Sequence, residues 1–532
     1  MTIHRIGPHT LATAAAPVDV LLTHGFFMAL DPKQASKARP YPPLSTLQLA
    51  ALLRGQQLSV AVFDAMLAAD ESAFAAALAA ARPRLVILQE DNFNFLSKMC
   101  LGRMREAALN LVRMGRAAGL PVLVNGSDAS DHPEVYLAAG ATGVARGEGD
   151  WTLLEAARSI LDAATGTAPW PIEQGSVEPL LPAGLSVMVA DRRVDGLPRP
   201  VERDLDRFPE PSRDLVDLAA YRAVWHTAHG HGHFSLNLAS SRGCPYHCNW
   251  CAKPIWGQRY GLRSPERVVA EIAGLLAADP PPDRLWFADD IFGLHPAWTV
   301  AFGDAMAAAG IRVPFQIQSR ADLITPEAAA ALAAAGCEEV WLGAESGDQA
   351  ILDAMEKGIR LEQLPAALGQ LRGFGIRVGL FLQFGYPGED WDALLRTVEL
   401  VRRLKPDAIG ISVSYPLPGT RFYQRVREAM SDREHWADSQ DLAMLYQGPF
   451  PTEIYRRLHR LLHAEHDALL AVDAASTAGA LAAATTALMA ARAEWPSLER
   501  DARAAGEQRL RVALPILDPA AVASPGEGQG HA

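Results

Sequence analysis

A chain of 532 residues is too long for one ordinary domain, and a hydrophobic share of 49 % with 21 % charged residues suits soluble domains that bury real cores. A formal net charge of −12 argues against an electrostatic grip on nucleic acid or on an anionic membrane, because phosphate contacts need clustered Lys and Arg. Five cysteines, three of them between residues 244 and 251, are too few and too clustered for a secreted disulfide framework.

The opening stretch "MTIHRIGPHTLATAAAPVDVLL" lacks a charged segment followed by a continuous apolar one, so no signal peptide is expected. No strongly apolar run of about 18 residues is present; the Ala-rich stretch 478–491 reads as a helix of a soluble protein. A reducing, cytoplasmic setting and no membrane partner are expected.

Residues 1–165 alternate strand and helix. The run "VDVLLTH" (18–24) is followed by helical periodicity in "LSTLQLAALLRG" (44–55). Then come a strand at "LSVAVFD", a helix at "ESAFAAALAAARP", a strand at "RLVILQ", a helix over 101–118, a strand at "PVLVNG", and "ATGVARGEGD" leading into a last helix. This spacing predicts a doubly wound, Rossmann-like parallel sheet. Its ligand site lies beyond the carboxyl ends of the strands. Those ends carry His24 and Gly25, Asp64, Glu90 to Asn92, Asn125 to Ser127, and Arg146 to Gly149. No G-x-G-x-x-G follows the first strand, which argues against a nicotinamide or flavin dinucleotide.

Residues 166–233 are rich in Pro, Asp and Arg and read as a crossing segment that packs on both neighbours. Residues 234–420 begin a second alternation. The strand "FSLNLASSR" ends at the cysteines, and the helix "SPERVVAEIAGLLAA" follows, with Ser264 as N-cap, Pro265 at its first position and Val268, Val269, Ile272, Leu275 and Leu276 on one face. Further strands are "RLWFADD", "PFQIQSR", "EEVWLGAES", "RVGLFLQFG" and "AIGISVSY". Six β/α units predict a partial parallel barrel, whose working residues belong at the C-terminal strand ends. There lie the cysteine loop, Asp289 and Asp290, Arg320, Glu345 and Ser346, and Gly385 and Tyr386. Residues 421–532 read as a helical region with a Gly/Pro-rich tail from 525 expected to be disordered.

The cysteines, Cys244, Cys248 and Cys251, are spaced C-x3-C-x2-C. A structural zinc would need a fourth ligand such as His247, and the second knuckle that zinc motifs usually supply is missing. A four-iron cluster held by three cysteines leaves one iron open to bind a reactant, whereas electron carriers normally have four cysteines. The pattern C-x3-C-x-(aromatic)-C, with Trp250 in the aromatic place, resembles the radical S-adenosylmethionine (SAM) family. The resemblance implies a [4Fe-4S] cluster whose open iron is chelated by the methionyl amino and carboxylate groups. It also implies an electron donor such as flavodoxin or ferredoxin, and a 5′-deoxyadenosyl radical.

Within that family, "WFADDIF", "GAESG", "FGYPGED" and "YPLPGT" look like the members with an N-terminal cobalamin-binding domain, and "RPYPPLSTLQLAALLR", "VFDAM" and "GEGDWTL" resemble that domain. The likeness covers about residues 18–425. It implies SAM contacts at Trp250, Asp289, Asp290, Arg320, Glu345 and Ser346. It implies cobalamin contacts at Gly25, Tyr41, Pro43, Leu44, Asp91, Asn92, Gly126, Ser127, Gly147, Glu148 and Gly149. One departure is plain: no D-x-H-x-x-G occurs, and "EDNFNF" (90–95) stands in that loop, so cobalamin would lack that histidine ligand.

Plainer roles stand beside these. Asp289 and Asp290 could cap the next helix, and Arg320 could pair with Asp322 or Glu345. Cys100 and Cys337 read as core. The histidines 226, 229, 231 and 233 read as a substrate-facing lip or as plainly solvent-exposed, and 459, 463 and 466 as packing against the barrel. Residues 39–46 would form either a wall between cofactors or a rigid helix entry. The expected activity is methylation of an unactivated carbon of a small molecule of secondary or glycan-related metabolism. The alternatives are a non-methylating radical reaction (cyclisation, ring contraction or rearrangement) and a cobalamin or iron–sulfur sensor.

Overall fold

The computed structural model describes residues 17–164, 181–251, 253 and 255–510. Residues 1–16 of the N-terminal stretch read for a signal peptide and the tail from 525 lie outside them.

The first sheet contains β1 (Val20–Thr23), β2 (Val60–Val62), β3 (Leu85–Gln89), β4 (Val122–Asn125), β5 (Gly143–Ala145), β6 (Leu185–Val189) and β7 (Arg192–Asp195) in the order β2-β1-β3-β4-β5-β6-β7. The first five are parallel. Their β-branched and leucine runs are buried on both faces, as a helix-covered parallel sheet requires. The order 2-1-3-4-5 is that of a doubly wound sheet, so the strand ends named from the sequence do share one edge.

Strands β6 and β7 differ from the expected architecture. They come from the crossing segment and add an antiparallel hairpin to β5. Leu185 and Val187 point into the core while Arg192 and Arg193 face solvent. The pattern is the alternation of an edge hairpin, too short to stand out from a Pro-rich background. Further along, Ser212 donates its amide to the Leu47 carbonyl, and Arg213 reaches the Asn237 carbonyl at 2.7 Å. The helix Leu218–His229 buries Tyr221 and Trp225.

The second half holds β8 (Ser235–Leu238), a two-strand ribbon of β9 (Ser241–Arg242) and β10 (Gly261–Leu262), then β11 (Arg284–Phe287), β12 (Phe315–Ser319), β13 (Cys337–Glu345), β14 (Arg377–Phe384) and β15 (Ala408–Val413). Six of these strands run parallel in the order β15-β14-β13-β12-β11-β8, a partial barrel. Three of the outer helices start on a side-chain cap: Ser264 for Pro265–Leu276, Thr325 for Pro326–Ala335, Asp390 for Trp391–Leu404.

A six-stranded wall leaves β8 as a free edge. Residues 40–42 lie along it. Trp225 Nε1 donates to the Pro40 carbonyl at 2.9 Å, Asn237 Nδ2 donates to the Pro42 carbonyl at 3.0 Å, and the Tyr41 ring packs 4.6 Å from that of Trp286. Prolines offer carbonyls without competing N–H groups, so this strip can cover an edge without extending the sheet.

The opposite side carries the helices Thr452–Ala474 and Ala478–Leu510. Buried Glu465 anchors them, accepting from both Arg402 nitrogens at 2.9 Å and from Trp495 Nε1 at 2.6 Å. Of the three histidines read as packing against the barrel, His466 does so, its Nε2 2.8 Å from the Pro406 carbonyl; His459 and His463 lie against each other, rings 4.5 Å apart and tilted, with Lys33 and Lys37 of the first half near them. Among the described residues, no helix is long and apolar enough to cross a membrane.

Candidate functional site

The cysteine loop leaves β9 and returns through β10. Gly243 at its start has φ +80, and a Cβ there would stand 2.4 Å from the Arg259 carbonyl oxygen, so only glycine fits the turn. Asn249 staples the loop. Its amide N–H reaches the Met355 carbonyl at 3.0 Å, its Nδ2 the Ala354 carbonyl at 2.7 Å, and Tyr386 donates its hydroxyl to Asn249 Oδ1 at 2.8 Å. The motif around the cysteines thus binds to the end of the helix Gln349–Ala354, which follows β13, and to the residues just past β14. Burial pushes the Cys251 thiol up to about 12, which disfavours a nucleophilic role; only metal ligation would hold it as thiolate. Cys337 is buried in the apolar core, whereas Cys100, also buried, has Asp128, Asp131 and Arg105 near it.

The residues read as SAM contacts divide. Glu345 sits at the end of β13 with φ +58, and Lys357 Nζ donates to it at 2.6 Å. Arg320 holds Asp322 through Nε at 2.9 Å and Nη2 at 3.1 Å, and its guanidinium lies 3.6 Å from the Tyr246 ring centroid. The plainer salt bridge to Asp322 is therefore the one formed. Trp250 is half-buried, with its Nε1 buried and unpartnered.

Asp289 caps no helix. It accepts from the Ser240 amide at 3.1 Å and the Ser240 hydroxyl at 2.8 Å, and also from the Ser241 hydroxyl, locking the turn after β8; burial raises its carboxyl to about 6. Asp290 pairs with Lys98 of the first half. Ser346 turns away from the cysteines, accepting the Asp348 amide at 3.1 Å and lying 3.3 Å from Thr397 Oγ1.

At the edge of the first sheet, Glu90 accepts the Gly25 amide at 2.9 Å, and burial raises its carboxyl to about 7. A Cβ at Gly126 would sit 2.6 Å from Glu90 Cγ, and one at Gly149 would sit 2.4 Å from Asn125 Cγ. Packing of Glu90 and Asn125 thus explains these glycines without a cofactor. Asn125 Nδ2 donates to the Gly147 carbonyl at 2.9 Å, and Asp91 accepts the Ser45 amide at 3.1 Å. Asn92 donates to Asn125 Oδ1 at 3.1 Å, but Asn92 Oδ1 and Ser127 Oγ are buried without a partner. His24 Nε2 lies 3.1 Å from Asp64, which accepts the Tyr221 hydroxyl at 2.5 Å.

The two edges face one another. Leu44 and Phe93 from the first half form a buried cluster with Ala239, Ile255, Trp256 and Ala288 from the second. Arg242 is buried between Glu148 and Asp150, and Glu148 also takes the Glu202 amide at 2.6 Å. Glu148, read as a cobalamin contact, is thus committed to the seam. Tyr41 lies on the barrel edge instead of over the first sheet; Pro43 leads directly into the helix Leu44–Gly55. Arg242, Lys98, Asn249 and Lys357 were not singled out from sequence. Arg242 ends the quoted strand before the cysteines and Asn249 stands between Cys248 and Cys251, while nothing local marks Lys98 or Lys357.

Residues 238–401 match the model of the radical SAM superfamily. They form a radical SAM domain. Around it, the chain is 28 % identical over 229 residues to an uncharacterized methyltransferase of Pyrococcus horikoshii, covering 43 % of this chain and 48 % of that protein. It is 27 % identical over 240 residues to the hopanoid C-3 methylase of Methylococcus capsulatus, covering 43 % and 44 %. It is 27 % identical over 188 residues to an anaerobic magnesium-protoporphyrin IX monomethyl ester cyclase of Rubrivivax gelatinosus, covering 35 % and 34 %. The matches span half or less of these relatives.

Among solved structures, the radical SAM methyltransferase TsrM of Kitasatospora setae, with cobalamin and a [4Fe-4S] cluster bound, superposes with TM-score 0.61 at 20 % identity over 78 % of this chain and 75 % of that one. The cobalamin-dependent radical SAM enzyme OxsB superposes with TM-score 0.65 at 16 % identity over 86 % and 68 %. The radical SAM domain and the sheet before it therefore share the two-part fold of these enzymes.

Proposed function

We propose that this chain is a cobalamin-dependent radical SAM enzyme that methylates an unactivated carbon of a small molecule. The observation that carries the reading is the meeting of two strand-end edges at one seam, the cysteine loop on one side and the Glu90–Asn92 and Gly126–Gly149 loops on the other.

The residues present suit the groups this reading requires. Three thiols on one stapled loop suit a cluster with an open iron, and the unpartnered Ser127 Oγ and Asn92 Oδ1 are free to bind a polar cofactor edge. Cys244, Cys248 and Cys251 would hold the cluster. Glu345 with Lys357 and the Arg320–Tyr246 pair would face SAM, and Asn92, Gly126 and Ser127 would face cobalamin. When bound, these groups supply reductive cleavage of SAM, with an electron from a flavodoxin- or ferredoxin-type donor, and a transferable methyl group.

The chain's own part is positioning and exclusion of water. Arg242 fixes the first strand end of the barrel to the first sheet, and Phe93 and Trp256 close the seam with rings 5.1 Å apart. The likeness to the cyclase favours a second reading, the same cofactors without methyl transfer.

The test is anaerobic purification from cells supplied with iron, sulfide and cobalamin, followed by a visible spectrum and corrinoid analysis. Iron–sulfur absorption with about one corrinoid per chain supports the proposal. Iron–sulfur absorption without corrinoid demotes the first sheet to a scaffold and favours a non-methylating reaction. Zinc in place of iron overturns both readings.

A further inference from the structure

A second cluster of metal-ligating side chains lies away from the cysteines. Asp128 stands in the first turn of the short helix Ser127–Asp131 beyond β4, and His132 separates it from the helix Pro133–Ala138. His435 comes from the segment that follows β15 and reaches the same point. One ligand atom from each of the three residues lies within 4.8 Å of the others.

Both histidines have Nε2 buried without a hydrogen-bond partner. A buried imidazole nitrogen with nothing to bind costs free energy, and a cation removes that cost. Nδ1 of His435 lies 3.3 Å from the Tyr415 hydroxyl, whose oxygen can accept Nδ1–H and leave Nε2 as a bare lone pair. Asp128 is oriented by Arg105 Nε at 2.6 Å and by the Tyr136 hydroxyl at 2.8 Å, the outer support usual for a ligating carboxylate. Charge also favours a cation here. Asp128 faces two further carboxylates, Glu90 and Asp131, while Arg105 is the guanidinium that pairs with it.

We propose that Asp128, His132 and His435 form a divalent-cation site of the zinc class, distinct from the cysteine loop, that clips the segment following β15 to the end of β4. Two imidazoles and a carboxylate suit a borderline first-row ion, with one position left for water. Ligand atoms of a tetrahedral zinc stand about 3.4 Å apart, given metal–ligand distances near 2.1 Å, so the three groups close by about an ångström on binding. The geometry asks nothing of SAM or cobalamin, so it stands or falls independently of the proposed reaction.

The test uses the full chain carrying Cys244→Ala, Cys248→Ala and Cys251→Ala, so that the cysteine loop binds no metal. Equilibrium dialysis against buffered Zn²⁺ should give about one zinc per chain. Adding His435→Ala, or in a separate protein His132→Asn, should weaken zinc at least ten-fold, the cost of losing one ligand, while His459→Ala should leave it unchanged. Co²⁺ in place of zinc should give visible d–d absorption that both ligand variants lose. Zinc should also raise the thermal midpoint of the parent and not of His132→Asn, which keeps the test decisive if His435→Ala folds poorly. A folded parent that takes up no zinc, or zinc uptake indifferent to both ligand variants, overturns the proposal.

Discussion

Arg242 Nη1 lies 2.9 Å from Asp150 Oδ2, and both side chains are almost wholly removed from water. The arginine stands two residues before the first cluster-type cysteine, and the aspartate opens the helix Asp150–Ala164 of the other half. Glu148 shares the same guanidinium, and Gln48 takes its second arm. Burial raises the Glu148 carboxyl, while the arginine opposes that rise. Arg242→Met leaves two buried carboxylates without a counter-ion, an effect of about 3–5 kcal/mol. Denaturant titration of the apo chain should show the first transition moving by that amount. Combining Arg242→Met with Glu148→Leu and Asp150→Leu should restore most of it. A single-variant effect below about 1 kcal/mol would show that the charges are not buried as described.

The five cysteines should separate into two classes. Alanine at Cys244, Cys248 or Cys251 should each abolish iron and acid-labile sulfide after anaerobic reconstitution and leave far-ultraviolet circular dichroism intact. Cys100→Ala and Cys337→Ala should keep full iron and lose about 1–2 kcal/mol of stability through small cavities. Iron retained in any of the first three variants sinks the ligand assignment.

Tyr386→Phe removes the hydroxyl that braces Asn249. The expected loss is about 1–2 kcal/mol, the usual cost of leaving a buried partner short of a bond. The sharper readout is the cysteine loop. Cluster loss on exposure to a chelator should speed up several-fold relative to Tyr415→Phe, measured by the decay of iron–sulfur absorption. Equal decay in the two variants would mean that Asn249 does not hold the loop.

Glu389 is buried, accepts the Gly385 amide through Oε2, and has its other oxygen unpartnered. Burial raises its carboxyl to about 8 from 4.5. Between those values the folded chain holds a proton that the unfolded chain has released, so this group's contribution to stability is present at low pH and falls as pH rises toward 8. Glu389→Gln removes the titration and keeps the acceptor. The variant should gain on the wild type from pH 5 to pH 8, by on the order of 1–3 kcal/mol at the upper end. A constant difference across that range contradicts a raised carboxyl.

The parallel strands of both sheets were legible because strands buried on two faces leave unbroken apolar runs such as "LVILQ", and the strand-end residues follow once those runs are placed. The cysteine loop was legible from spacing alone. The bond between Arg320 and Asp322 joins neighbours two residues apart and could be foreseen. The bonds from Arg242 to Asp150 and Glu148, and from Lys98 to Asp290, span 92 to 192 residues, and no local pattern encodes them. The glycines show the converse limit. Gly126 and Gly149 were marked from sequence, but the neighbour that demands each of them, Glu90 or Asn125, is visible only in three dimensions.

The proline strip along β8 bears on how the molecule is assembled. Tyr41 precedes its partner Ser235 by 194 residues, and Pro42 precedes Asn237 by 195. On a ribosome the strip therefore emerges long before the edge it covers. Contacts of such sequence separation carry a large loop-closure entropy and form late. A fragment starting at residue 234 would retain every strand of the wall but keep β8 bare, open to pairing with other chains. The radical SAM domain thus depends on the preceding half for colloidal survival as well as for any cofactor that half carries.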